Sequence, residues 1–322
     1  MIPADSPLRK TVLFDWFILC LALLVSFIVG ALVLQTMLPL LGVGELSETM
    51  ADFGPDSDKE TISAVRIIQL IGQFFMFLFP AILFVSFLYA YKPLGYLHLN
   101  KNIKWQNIFL GTVLIIGAFP FSQFLFWLNQ QLPLPAYFTE VEESAALITQ
   151  GLLKMDTPGE LLMNLLVIAV LPALGEEFLF RGILQNLFAK MGMKVHALIW
   201  TAAFLFSAMH MQFAGFLPRF FLGAILGYMV YWTGSLWVPI IAHFFNNACQ
   251  VFAQYLYAKE VSDLDLEKID GVPWYVTIIS ALIIISISSI LIKSNRDIQI
   301  DYSKERIEPE IKKHVDQDIE EE

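Results

Sequence analysis

Apolar residues in this chain gather into long stretches with few polar interruptions. Eight such stretches fall at roughly 11–38, 63–91, 107–128, 159–190, 195–212, 216–233, 236–257 and 273–293. A helix of about 20 residues, rising about 1.5 Å per residue, crosses a hydrocarbon core about 30 Å thick. The pattern therefore predicts an all-α fold, a polytopic transmembrane helical bundle of about eight spans. The fourth stretch is too long for one straight crossing. It is expected to run past the membrane surface or to break near Pro172, which lacks a backbone donor, or Gly175. The first stretch is too long for a signal-peptide core and has no clear small-residue cleavage site, so it reads as a retained span. Within the 129–158 loop, Ser144 to Leu153 forms a short apolar segment suited to the membrane interface.

Composition strengthens the membrane reading. The 322 residues are 57% hydrophobic and 16% charged, against roughly 45–50% and about 25% in soluble domains. The charges also sort by loop. Arg9 and Lys10, then Lys92, Lys101 and Lys104, then Lys190 and Lys194, then Lys293 and Arg296 fall on one side if the spans alternate. The intervening loops are acidic: Glu45, Glu48, Asp52, Asp56, Asp58 and Glu60 in one; Glu140, Glu142 and Glu143 in the next; Asp263, Asp265, Glu267 and Asp270 in a third. The positive-inside rule then places both termini in the cytoplasm, in a protein of the cell membrane. The net charge of -10 comes from these loops and the tail. No basic stripe points to nucleic acid, and Cys20 and Cys249 have no metal or disulfide spacing. The tail from Ser294 to Glu322 reads as a solvated helix or disorder.

Ionisable residues inside apolar spans are costly and are functional candidates by default. Asp15 and Arg66 lie near span ends and are expected to snorkel to the surface. Arg219, after Pro218 near a span start, reads as interfacial, and His98 and His196 as surface histidines. His314 lies in the tail and carries no signal. Three patches resist so bland a reading. Glu176 and Glu177 precede Arg181, and the four-residue step from Glu177 to Arg181 puts that pair on one helical face. Glu176 points about 100° away, which leaves it free for water or substrate. His210 follows Phe206 late in the fifth stretch. His243, Asn246 and Asn247 lie in the seventh, with His243 and Asn247 four apart. A carboxylate and an imidazole can hold and deprotonate water, and a second imidazole and an amide can donate to an oxyanion. Gly223 and Gly227 form a small-xxx-small pair that would let these helices pack closely.

Glu176-Glu177-x-x-x-Arg181, Phe206-x-x-x-His210 and His243-x-x-x-Asn247, in this order on successive apolar helices, resemble the CPBP intramembrane proteases, the type II CAAX prenyl endopeptidase relatives also called the Abi family. The resemblance covers roughly 159–257. It implies an intramembrane protease core at 159–257, preceded by N-terminal helices and loops at 1–158 and followed by a last loop and helix at 258–293 and a charged tail at 294–322. It implies a peptidase in which Glu176 and His210 activate water, His243 and Asn247 serve the oxyanion, and Glu177 and Arg181 shape the site. The implied partners are a peptide or protein substrate and the lipid bilayer. No cofactor is expected: a zinc site built from Glu and His is the rival chemistry, disfavoured because no His-Glu-x-x-His helix occurs. Two non-enzymatic readings stand beside this one. The same residues could hold helices together in a membrane immunity or scaffolding protein, or relay protons in a transporter, although no duplicated halves are visible. Simple alternation also leaves a tension, since His210, about 15 residues from Val195, would approach the membrane face opposite Glu176 and His243.

Overall fold

The computed structural model describes residues 12–100, 103–133, 136–261 and 272–302. Arg9, Lys10, Lys101, His314, the acidic group from Asp263 to Asp270 and the tail beyond Tyr302 lie outside the described residues. Every predicted stretch is a helix: α1 Val12–Met37, α2 Lys59–Leu88, α3 Trp105–Gln130, then, after α4 Ala136–Leu153, α5 Pro158–Lys190, α6 Val195–Ala208, α7 Phe216–Thr233, α8 Trp237–Ala258 and α9 Trp274–Ser294. No strand occurs among the described residues. Helices α1, α2, α3, α5 and α9 are long and apolar enough to cross a membrane. The outer faces of α1 and α9 leave large side chains such as Phe17, Phe27, Ile279 and Ile285 exposed, as a lipid-facing surface requires. This is an integral membrane protein.

The predicted break in the fourth stretch does not occur. Helix α5 continues through Pro172 and Gly175, and it absorbs the proline by widening into π turns at Leu165–Val170 and Glu177–Leu184. Proline at 172 cannot donate to the carbonyl of Ile168, four residues back, and its ring crowds that carbonyl. Gly175 serves packing instead of breaking the helix. A Cβ there would sit 2.9 Å from Phe77 Cβ and 3.1 Å from the Leu78 backbone nitrogen. The small-residue pair on α7 works as its spacing implies. A Cβ on Gly223 would lie 3.0 Å from Phe206 Cδ1, and one on Gly227 would lie 2.9 Å from Ile199 Cγ2, so α6 and α7 approach closely.

The two ends of the bundle differ in charge. At one end Lys190 pairs with Asp15 at 2.7 Å and also bonds the Tyr89 hydroxyl. Asn186 donates to the Tyr96 carbonyl, and the Leu236 amide donates to His98. These contacts gather the basic 92–100 and 190–194 segments together. At the other end Lys59 meets Asp156 at 2.7 Å, and Lys154 reaches the Pro55 carbonyl at 2.9 Å.

Neither Asp15 nor Arg66 snorkels: each is 2% exposed. Asp15 is neutralised by Lys190, whereas Arg66 donates to the last carbonyls of α4 and the turn beyond it, Leu152 at 3.1 Å and Lys154 at 2.5 Å. A buried group finds a partner where a surface group would find water. The start of the tail is largely exposed, at Ser294, Arg296, Asp297 and Asp301, but Asn295 and Tyr302 anchor it to the bundle. Asn295 and Asn107 exchange reciprocal amide bonds of 2.9 and 3.0 Å, Ile300 donates to Tyr231, and the Tyr302 hydroxyl reaches Gln185 at 3.1 Å.

The close α2–α5 approach gives a direct test. Gly175→Ala should destabilise the protein by about 1–3 kcal/mol through overpacking. Gly72→Ala, on the same bundle with no atom within 4 Å of the added Cβ, should be neutral or stabilising. Thermal unfolding of both variants in detergent would reject the approach if they behaved alike.

Candidate active site

Helices α5 and α6 form a hairpin around the 191–194 turn. Glu176 precedes Lys190 by 14 residues and His210 follows Val195 by 15, so the two lie at nearly equal height above the turn. Helix α6 has only 14 residues, about 21 Å at 1.5 Å per residue. His210, just beyond its end, lines the same cavity as Glu176 and His243, so these side chains meet despite the conflict that simple alternation raised. Helices α7 and α8 form the next hairpin, turned by Gly234 in the left-handed conformation at φ 66°, and return His243 to the same region. Glu176, His210, His243 and Asn247 line one cavity of about 760 Å³. The cavity is walled by α2, α3, α5, α7 and α8 and by the inner face of α4, through Ala145, Ile148 and Leu152.

The deepest layer is a network of charged groups. Arg181 Nη1 donates to Glu177 Oε1 at 2.6 Å, and His243 Nδ1 donates to the same oxygen at 2.9 Å. The other Arg181 arm donates to the Gly223 carbonyl at 2.8 Å, and its guanidinium stacks over Phe206 at 4.6 Å. Glu177 and Arg181 are 0% and 1% exposed. Pairing and hydrogen bonding of this kind are what a low-dielectric interior demands. The Glu177–Arg181 pair expected from the four-residue spacing is present. The spacing argument drew too sharp a line around it, because both carboxylates lie within 4 Å of one imidazole. His243 Nε2 stands 3.9 Å from Glu176 Oε2. The structure therefore brings His243 to Glu176 and Glu177 together, while His210 shares the cavity without a direct contact to either carboxylate among the described hydrogen bonds.

His210 Nδ1 donates to the Phe206 carbonyl at 2.8 Å, which leaves Nε2 as the acceptor. Asn247 Nδ2 donates to Ile168 at 3.0 Å, filling the carbonyl that Pro172 cannot serve, and its oxygen accepts from Asn246 at 3.0 Å. One amide proton of Asn247 remains beyond that bond. One Glu177 oxygen is shared by a guanidinium and an imidazole, and Arg181 is a fixed cation beside it. No group of three or more His, Cys, Asp or Glu residues suited to a metal occurs among the described residues.

Arg219, expected at the interface, lines this cavity. It folds back over Gly215 and donates to Gln212 through both arms, at 2.9 and 2.5 Å. Gln69, Gln73 and Gln123 also line the cavity. The four-residue step from Gln69 to Gln73 on an apolar helix was the same kind of signal as His243 and Asn247. His196 bonds the Tyr228 hydroxyl at 2.7 Å, away from the site.

An all-helical membrane bundle with two buried carboxylates, a buried imidazole and a second imidazole lining the same cavity defines the class. Residues 158–249 match the family model for the Rce1-like type II CAAX prenyl endopeptidases. The match bears out the resemblance carried by the three motifs: this segment is similar to the CPBP-family peptidases. The uncharacterized protein YpbD of Bacillus subtilis (strain 168) is 35% identical over 95 residues, covering 27% of this chain and 46% of the relative. The chain thus spans less than half the length of that curated relative. No solved structure matches it.

Glu177→Gln should destabilise the bundle by about 3–5 kcal/mol, because it leaves Arg181 buried without its counter-ion. A denaturation midpoint equal to that of the parent protein would contradict the hub role of the pair.

Proposed function

We propose that this chain is an intramembrane endopeptidase that hydrolyses peptide bonds with water activated by Glu176, without a metal or other cofactor. The observation that carries the reading is the buried Glu176 carboxylate facing a cavity shared with His210 and His243 inside the Rce1-like segment. Water is held between Glu176 and the acceptor Nε2 of His210. Glu176 takes a proton, and the hydroxide oxygen bonds to the peptide carbonyl carbon. The oxyanion accepts from the remaining Asn247 amide proton and from His243 Nε2. His243 acts as the imidazolium, with its other proton directed to Glu177. The intermediate collapses with cleavage of the C–N bond, and the amine leaves with the proton from Glu176. Formal charges then close within the network: two glutamates against Arg181 and His243.

The substrate is a peptide or membrane protein segment, and the basic end of the bundle faces the cytoplasm in the cell membrane. The Asp15–Lys190 pair and the Tyr302 contact lie at that end, which supports a cytoplasmic placement of both termini. Glu176→Gln should reduce cleavage of a membrane peptide by about 10²–10⁴-fold with unchanged thermal stability, read by mass spectrometry of products. Retained turnover in that variant would sink the assignment. Activity should also survive chelation of a metal-free preparation, and loss restored by zinc would overturn the cofactor-free chemistry.

One observation favours a second reading, a non-proteolytic immunity or scaffolding protein. His243 and Asn247 both tie α8 to α5. On that reading Glu176→Gln leaves the cellular phenotype intact while Glu177→Gln abolishes it.

A further inference from the structure

Between α6 and α7 the segment 209–215 has little regular structure, yet it carries His210 and reaches into the cavity. Immediately after His210 the backbone turns left-handed at Met211, with φ 53° in a residue other than glycine. Such a conformation persists only where the surroundings hold it. Side chains from three helices hold it here. From α7, Arg219 grips the Gln212 carbonyl and side-chain oxygen at 2.5 and 2.9 Å. A Cβ on Gly215 would overlap the guanidinium, so the fold-back depends on glycine there. From α3, the 1%-exposed Asn129 donates to the Phe213 carbonyl at 2.8 Å and accepts from the Leu217 amide at 3.0 Å. From α4, Glu142 Oε1 accepts from the Ala214 amide at 2.8 Å.

We propose that Arg219 and Glu142 are positioning residues that set the His210 segment, so that His210 is correctly aimed only while α4 is docked on the cavity. The proposal rests on the peptidase reading above. Its structural basis is the asymmetric attachment of α4. The C-terminal end of α4 is pinned, since Leu152 accepts from both Arg66 and Asn164 at 3.1 and 2.5 Å and a Cβ on Gly151 would meet Phe53 at 2.7 Å. Toward the other end, the Glu142 bond joins α4 to the segment that bears His210. Release of that bond frees an amide two residues from the Arg219 grip on Gln212. Access to the cavity beneath α4 and the aim of His210 are thereby coupled through the Glu142 carboxylate, beside the Phe138–Phe213 ring contact at 5.9 Å.

The test compares Arg219→Gln, Arg219→Lys, Glu142→Ala and Glu142→Gln in full-length protein in nanodiscs. It uses turnover of a membrane peptide cut by the parent protein and amide hydrogen exchange across 209–215. Arg219→Gln and Glu142→Ala should lower kcat toward the ~10²-fold effect of a misplaced catalytic group, with KM nearly unchanged and faster exchange in the segment. Arg219→Lys, which keeps one donor for the Gln212 carbonyl, should recover part of kcat. Glu142→Gln, which keeps the acceptor oxygen, should recover most of it. A rise in KM with kcat and exchange unchanged would overturn the proposal, since Arg219 would then contact substrate. Exchange unaltered in both Arg219→Gln and Glu142→Ala would overturn it as well. If Arg219→Gln does not fold, the Glu142 pair decides alone. Failure of the peptidase reading is seen separately, as turnover that survives Glu176→Gln or is absent from the parent protein. The exchange readout still decides whether Arg219 and Glu142 set the segment.

Discussion

The buried pair of Glu177 and Arg181 is the interaction on which the rest of this bundle depends. Apolar helices in lipid have no hydrophobic force to draw them together, so close packing and polar contacts must do so. Arg181 supplies both. It touches the Gly223 backbone on α7 and the Phe206 ring on α6, while its partner Glu177 accepts a hydrogen bond from His243 on α8. One ion pair on α5 thereby fixes three other helices. Removing water from these charges is unfavourable, and the network offsets that penalty by leaving each charge opposite another.

The same geometry accounts for the widened turns of α5. Pro172 deprives Ile168 of its donor, and Asn247 on α8 supplies one. Further along, a π turn runs from Glu177 to Leu184, and the side chains of Glu176 and Glu177 both approach His243. A regular α-helix would direct them about 100° apart. The departures from regular structure flank the segment that carries the acid groups, and interhelical bonds support it.

Much of this was legible in the chain. The apolar stretches marked the helices because the bilayer sets their length, and the four-residue spacings marked the polar faces because helix geometry sets those. What escaped the reading depends on partners distant in sequence. The depth of Arg66 depends on carbonyls beyond residue 150, and that of Asp15 on Lys190. Arg219 looked interfacial because a proline precedes it, and nothing local says that it folds back onto Gln212. Pro172 and Gly175 looked like a break because single-chain patterns do not reveal the amide that rescues a lost hydrogen bond or the backbone that needs a missing side chain. The Ser144 to Leu153 segment showed its apolar side in the sequence, though its longer helix and its place on the cavity follow only from the packed bundle. The docking of Asn295 and Tyr302 likewise rests on residues far away in the chain.

The α5–α6 hairpin carries a further consequence for how such a chain can vary. Its two arms bring Glu176 and His210 to one level because they are nearly equal in residues counted from the 191–194 turn. Each inserted or deleted residue within an arm would shift one group by about 1.5 Å and rotate it by about 100° relative to the other. Length changes in this hairpin are therefore far less tolerable than changes of side chain. Over evolutionary time the spacing between Glu176 and His210 should drift less than the loops at the acidic end of the bundle, even where the intervening apolar residues interchange freely.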